Sequence, residues 1–312
     1  MEYVKLGKTG IRASVAGLGA GGHSRLGLAR GGSEAEAEAL VRAALDLGVT
    51  VVDTAAAYGT EEVVGRALRG RRDEAVLCTK ATPRDGDALI GPEELRRRVE
   101  ASLRRLRTDH IDVFYLHAAA ASEYPHCHER LLPCLEKLKG EGLVRAVGVT
   151  EAFGSDTGHE MLPLAVQDPR WEVVMTGFNL INQSARERVL EQTRARGIGT
   201  TNMFAVRRAL SQPAALRETI GRLGAQGRSA LAALDPEDPL GFLVRPGGAE
   251  SLADAAYRFC RHEPGIDVVL FGTGAREHLE ANVRSILRPP LPEADAARLR
   301  ELFAGADSES GN

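Results

Sequence analysis

Two hydrophobic periods alternate along this chain. Short β-branched runs recur at Val15–Leu18, Val49–Asp53, Ala75–Thr79, Asp112–His117, Val144–Val149, Val173–Phe178, Ile198–Met203 and Val268–Phe271. Between them lie Ala/Leu/Glu/Arg stretches with apolar residues three and four apart, as in Glu34–Leu47, Glu61–Leu68, Glu93–Leu106, His128–Glu141 and Ala185–Arg196. The first pattern predicts strands and the second amphipathic helices. The punctuation agrees. Gly48, Gly142 and Gly197 stand where helices end, and Ser33, Pro92, Ser184 and Ser251 where they begin. Strands alternating with helices predict a parallel sheet covered on both faces. Eight such units in 312 residues predict a single α/β domain over 1–312, a closed (β/α)8 or TIM barrel.

Two segments fall outside the repeat. Residues 1–14, MEYVKLGKTGIRAS, read as an N-terminal β-hairpin turning at Gly7-Lys8-Thr9-Gly10. Residues 208–248 form a long insertion after strand seven with a helix of its own at Ala214–Leu223, and insertions there commonly shape substrate pockets. The small, polar tail 306–312 is expected to fray.

Composition narrows the function classes. With 43% hydrophobic and 27% charged residues, a sizeable core is available. A net charge of -3 gives no global attraction for nucleic acid or an anionic membrane. The basic runs, Arg69 to Arg72 and Arg96-Arg97-Arg98, read as solvated helix faces. No apolar run has signal-peptide or membrane-spanning character, and the four cysteines are scattered. A cytoplasmic protein without a disulfide framework is expected. His126-Cys127-His128-Glu129 offers adjacent ligands with no suitably spaced partner pair, so no metal site is expected. Gly17 to Gly22 satisfies GxGxxG. However, the next helix starts only near Ser33 and Asp53 comes too late for a Rossmann site. It reads as the first barrel loop, with Ala20 and Gly21 allowing close approach by a cofactor.

The stretch VVDTAAAYG (Val51–Gly59) introduces the chemistry. Asp53 ends the second strand and Tyr58 lies in the loop after it. Lys80 follows the third strand and His117 ends the fourth. Barrel enzymes carry their catalytic groups at these C-terminal strand ends. Side-chain alternation places Asp53 on the face of Val51, Lys80 on that of Cys78, and His117 on that of Tyr115. Each residue alone has an ordinary structural role as helix cap, packing group, snorkelling lysine or core histidine. Together they converge on one mouth. A free phenol has a pKa of about 10; a nearby ammonium favours the phenolate, and a carboxylate keeps that ammonium charged. With a histidine to orient a carbonyl, the group can protonate an oxygen gaining negative charge, as hydride reduction requires.

From the hairpin to about Ser285 the chain resembles the aldo-keto reductase superfamily. The resemblance rests on KLGKTGIRASVAGLG, DTAAAYG with GRALRG, TKA, SLRRLRTDHIDVFYLH, EKLKGEGLVRAVGVT, FNLINQ and FGTGAREHLEANV, in that order. It implies an oxidoreductase on a (β/α)8 barrel, acting on a small carbonyl or alcohol substrate with NADP(H) favoured over NAD(H). Tyr58 would be the general acid, tuned by Lys80 paired with Asp53, and His117 would orient the carbonyl. The implied cofactor positions are Ala20, Gly21, Asp53, Thr150, Glu151, Met175, Met203, Phe204, Thr273, Gly274, His278 and Asn282. Tyr124 and His126 are candidate substrate contacts.

Some positions depart from the family pattern. Thr150-Glu151 replaces Ser-Asn, Met175 replaces a strand-six glutamine, and Met203 takes the place of a stacking aromatic. Gly272 and His278 replace frequent basic residues, with Arg276 as a neighbouring source of charge. Glu151 and Met175 motivate an alternative: an acid–base enzyme for elimination or epimerisation, with altered or absent nicotinamide use. A third reading is a nucleotide-sensing binding subunit, as in potassium-channel β subunits. No interaction segment is visible, and no obligate protein partner is expected.

Overall fold

A computed structural model describes residues 1–312, apart from the side chain of Ser229. Eight parallel strands close into a barrel in sequence order: β3 (Ala16–Gly19), β4 (Val51–Asp53), β5 (Val76–Ala81), β6 (Ile111–Ala119), β7 (Val144–Glu151), β8 (Val173–Gly177), β9 (Gly199–Met203) and β10 (Val268–Phe271). The eight strands predicted from β-branched runs are these eight. β1 (Tyr3–Lys5) and β2 (Arg12–Ser14) form the antiparallel hairpin. It plugs the N-terminal end of the barrel, where Leu6, Ile11 and Ala13 pack beneath Val51, Val76, Val113, Ala146, Val173 and Val268. Lys8 N–H donates to Gly197 O at 2.9 Å, tying the plug in place.

The outer faces of the strands pack against α1 (Glu34–Asp46), α2 (Glu61–Ala67), α3 (Pro92–Leu106), α4 (Leu132–Gly140), α5 (Glu191–Arg196), α6 (Pro213–Ala225), α7 (Leu252–Arg261) and α8 (Arg276–Ile286). Ser33 and Glu36 form a capping box on α1, and Ser251 accepts from Asp254 N–H to cap α7. The helix expected at His128–Glu141 starts earlier, at Tyr124, and widens into a π turn over Cys127–Leu131 before α4. Pro133 has no N–H for the carbonyl four residues back, so a regular α turn is not available there.

Glycines make room inside the barrel. A Cβ on Gly148 would lie 2.4 Å from the Tyr115 ring, which crosses the interior to bond Thr201 Oγ1 at 2.9 Å. A Cβ on Gly177 would lie 2.1 Å from Phe153. Tyr115 therefore floors the mouth, and Phe153 fills one side of it.

The tail expected to fray over 306–312 is docked. Asn179 and Asn182 donate their side-chain amides to Ser310 O and Glu309 O, both at 3.1 Å, and Ala209 N–H reaches Gly311 O at 2.9 Å. Small polar residues leave their backbone accessible, and two buried asparagines use it. No helix among the described residues is long and apolar enough to cross a membrane.

Gly148→Ala is expected to lower stability by about 1–3 kcal/mol through overpacking against Tyr115. Gly140→Ala, in a helix with nothing within 4 Å of the added carbon, should raise it by about 0.5–1 kcal/mol. Urea unfolding of both variants checks the pair; equal midpoints would contradict the interior packing described here.

Candidate active site

The site is built on a buried ion pair. Asp53 at the end of β4 and Lys80 in β5 are 4% and 0% exposed. Lys80 Nζ donates to both Asp53 oxygens at 2.6 and 2.7 Å and to Thr54 O at 2.8 Å. These three bonds match the three donors of an ammonium. Burial opposes the charge on Lys80, but the Asp53 carboxylate overcomes it and holds the ammonium's pKa above its ordinary value.

Tyr58 closes a three-residue turn, Ala56–Tyr58, that ends at Gly59 with φ 70°. Its ring lies on Gly21, where a Cβ would come within 2.5 Å of it. Lys80 Nζ sits 5.1 Å from the centroid of that ring. His117 is aimed by a bulge: the register shifts between Leu116 and Ala119, and Ala118 takes φ 53°. Ala118 N–H donates to Thr150 Oγ1 at 2.8 Å, and Arg84 donates to Ala118 O at 2.7 Å. The bulge leaves His117 Nε2 3.4 Å from the Tyr58 hydroxyl, with the two rings edge to face. That is long for a direct bond, so a substrate oxygen can accept from both groups. Burial, then the charges of Lys80 and Arg84, pull the His117 pKa down to about 3. Its imidazole is neutral at physiological pH, and Nδ1 is buried without a protein partner.

A cavity of about 850 Å³ opens beside Tyr58. Gly21, Thr273, Gly274, His278 and Asn282, all expected at a cofactor site, line it together with Arg207. An adjoining cavity of about 520 Å³ shares Arg30, Gly274 and His278 with it and adds Arg276. Gly22 and Gly272 border the larger cavity without crowding it, and the glycine-lined, cation-rich groove suits an extended, phosphate-bearing molecule. Arg30 and Arg207 escaped the sequence reading. For Arg207 a signal existed, as a charged residue just past the seventh barrel strand in MFAVRRAL.

Other expected contacts lie elsewhere. Ala20 is buried, and its N–H donates to Asp53 O at 2.7 Å; the bareness of Gly21 accommodates Tyr58. Thr150 is buried beneath the His117 bulge. Glu151 brings no anion to the mouth. Its buried carboxylate accepts from His159 Nδ1 at 2.8 Å, Gly177 N–H at 2.7 Å and Thr176 Oγ1 at 3.0 Å. Met175 lies deep in the barrel interior, 3% exposed. Met203 is half-buried at the rim. Phe204, at φ 66°, meets Phe153 edge to face. Tyr124 is buried and accepts the indole N–H of Trp171 at 3.3 Å; His126 Nε2 pairs with Ile90 O at 2.8 Å, joining two loops. Both were expected on the substrate, yet their polar atoms are engaged within the protein: helix-opening residues pack inward here.

A barrel carrying this group of side chains at its C-terminal mouth belongs to a known class. The chain matches the Aldo/keto reductase family over residues 17–304, and it is a member of that family. Members are oxidoreductases that use a nicotinamide cofactor. The chain is 30% identical to aldo-keto reductase YhdN of Bacillus subtilis (strain 168), covering 90% of this chain and 87% of that protein. Over a shorter stretch, 38% of this chain and 40% of the relative, it is 36% identical to methylglyoxal reductase YeaE of Escherichia coli (strain K12). The fold superposes on the holo form of an aldo-keto reductase from Bacillus halodurans with a TM-score of 0.73 at 20% identity, covering 99% of this chain and 98% of that one. A Klebsiella pneumoniae aldo/keto reductase solved with NADP and acetate gives 0.71 at 23% identity, covering 96% of each chain.

His117 carries a pH signature. The folded protein leaves it unprotonated down to about pH 3, whereas the unfolded chain takes up the proton near 6.5. The unfolded state holds more protons between those values, so stability rises with pH across the window and falls on acidification. His117→Gln should flatten this limb of the urea midpoint against pH. Parallel curves for variant and wild type would contradict the buried neutral imidazole.

Proposed function

We propose that this protein reduces aldehydes or ketones with NAD(P)H, or runs the reverse oxidation. The observation that carries the reading is the convergence of the Lys80 ammonium, the Tyr58 phenol and the His117 imidazole around one point at the barrel mouth. A bound nicotinamide dinucleotide supplies the hydride. Tyr58 gives its proton to the carbonyl oxygen as negative charge builds there, and the fixed positive charge of Lys80 stabilises the phenolate left behind. Neutral His117 donates a hydrogen bond from Nε2 to the same oxygen and orients it without adding a charge. In the reverse direction the phenolate accepts the alcohol proton.

The nucleotide would lie in the groove from Gly21 past Thr273 and Gly274 to His278 and Asn282. Arg30 lines both cavities and Arg276 the smaller one. That local positive charge favours NADP(H) over NAD(H), because a 2′-phosphate adds a dianion there. Glu151 and Met175 motivated the alternative without hydride transfer, and the engagement of Glu151 with His159 weighs against the Glu151 half of that motive. The E. coli relative named as a methylglyoxal reductase fits a small carbonyl substrate.

Tyr58→Phe is expected to lower kcat by about 10²-fold or more while leaving NADPH affinity within about twofold. Steady-state kinetics on a panel of aldehydes, with NADPH binding followed by fluorescence, checks both halves. Full activity in Tyr58→Phe would end the assignment.

A further inference from the structure

The loop that carries Tyr58 is unevenly held. Thr54 and Ala55 at its start and Thr60 at its end are buried. Between them Ala56, Ala57 and Gly59 are exposed, and Tyr58 itself is half-buried. Backbone bonding within this tip is slight: Tyr58 N–H reaches Ala55 O at 3.0 Å and Gly59 N–H reaches Ala56 O at 3.3 Å. Exposed segments with few buried contacts open locally at low cost. Proton transfer needs the opposite, because a misplacement of 1 Å costs about 10²-fold in rate.

The base of the loop is tied side chain to side chain. The hydroxyls of Thr54 and Thr60, six residues apart, share a buried hydrogen bond of 2.8 Å. Thr60 stands at the N-cap of α2, where a threonine hydroxyl ordinarily accepts from an N–H of the first turn. Here it makes no such bond and reaches back across the loop instead. Both ends of the tie are anchored in β5. Thr54 N–H donates to Cys78 O at 2.9 Å, and Thr54 O accepts Lys80 Nζ at 2.8 Å. Next to Thr60, the carboxylate of Glu61 is 1% exposed and accepts from Thr79 Oγ1 and Arg105 Nε, both at 2.6 Å. Three consecutive residues of β5 therefore hold the two ends of the Tyr58 loop, and the third of them is the lysine whose ammonium faces the phenol ring.

We propose that the Thr54–Thr60 hydroxyl pair, backed by Glu61, is the clamp that positions Tyr58 for proton transfer. This rests on the reductase reading. Thr54, Thr60 and Glu61 are positioning residues: they are buried and act through Tyr58. The clamp explains why Thr60 forgoes a helix cap, and it ties the phenol and the ammonium to one strand so that their separation is fixed.

The test follows the single-turnover rate of NADPH oxidation by methylglyoxal and by benzaldehyde, with melting temperature and NADPH affinity measured in parallel. Thr60→Val keeps the shape of the side chain without the hydroxyl. It should slow turnover by about tenfold and leave NADPH affinity within about twofold. Thr60→Ser, which keeps the hydroxyl, should turn over nearly as fast as wild type. Thr54→Val/Thr60→Val removes both partners and orphans neither, so its melting temperature should return toward the wild-type value while turnover stays slow. In a Tyr58→Phe background, Thr60→Val should change the residual rate by less than about twofold, because the group it positions is gone. A wild-type rate in Thr60→Val would overturn the clamp and leave the reductase reading standing. So would a recovery of turnover together with stability in the double variant, or a tenfold loss repeated in the Tyr58→Phe background. A wild type that reduces neither aldehyde with NADPH or NADH would defeat the reading itself, and the clamp with it.

Discussion

The mouth of this barrel depends on one buried ion pair, Lys80 with Asp53. Removing both charges from water costs several kcal/mol per ion, and only close geometry offsets that cost. Here the geometry is saturated, because both carboxylate oxygens and the Thr54 carbonyl take the three ammonium donors. The ammonium cannot swing away, so its charge faces the Tyr58 ring permanently. The same charge helps keep His117 neutral. A single cation therefore faces the phenol ring and disfavours charge on the imidazole. The strands make this possible, since β4 and β5 are neighbours in register, with Asp53 opposite Cys78 and Lys80 two residues further along.

A second buried pair shapes the opposite wall. Glu151 and His159 have no solvent-exposed side-chain surface, and burial lifts the Glu151 carboxyl against the pull of His159. His159 stacks on Phe153 with centroids 5.2 Å apart, Phe153 meets Phe204, and Phe204 carries Arg207. A contiguous column thus runs from the sealed Glu151 carboxyl to the Arg207 guanidinium at the rim. The carboxyl that the sequence placed at the mouth is inside the wall, and the group half-buried at the rim is an arginine.

Local rules made much of this legible. Strand ends were readable because β-branched runs stop at turn residues, and side-chain alternation then put Asp53, Lys80 and His117 on inward faces. Tyr58 was readable from its loop after Asp53. What local rules could not supply were pairings distant in sequence. His159 lies eight residues beyond Glu151, in a loop without periodicity, so nothing local announced their bond. The tail owes its order to Asn179 and Asn182, more than a hundred residues away. Tyr124 and His126 looked available because they open a helix near the mouth, but Trp171 and Ile90 claim them. Arg207 had a local signal in its place just past the seventh barrel strand, but its packing on Phe204 and its bond to Asn312 had none.

The ion pair at the centre of this account is tested most directly by separating its structural from its catalytic effect. Melting temperature and kcat are compared for Lys80→Met and for the double variant Asp53→Asn/Lys80→Met. The single variant leaves a buried carboxylate unpaired and should lose about 3–5 kcal/mol of stability together with nearly all turnover. The double variant should regain much of the stability and none of the turnover, because the charge facing Tyr58 is still missing. Near-normal turnover in either variant would contradict the claim that the buried ammonium drives the chemistry of the mouth.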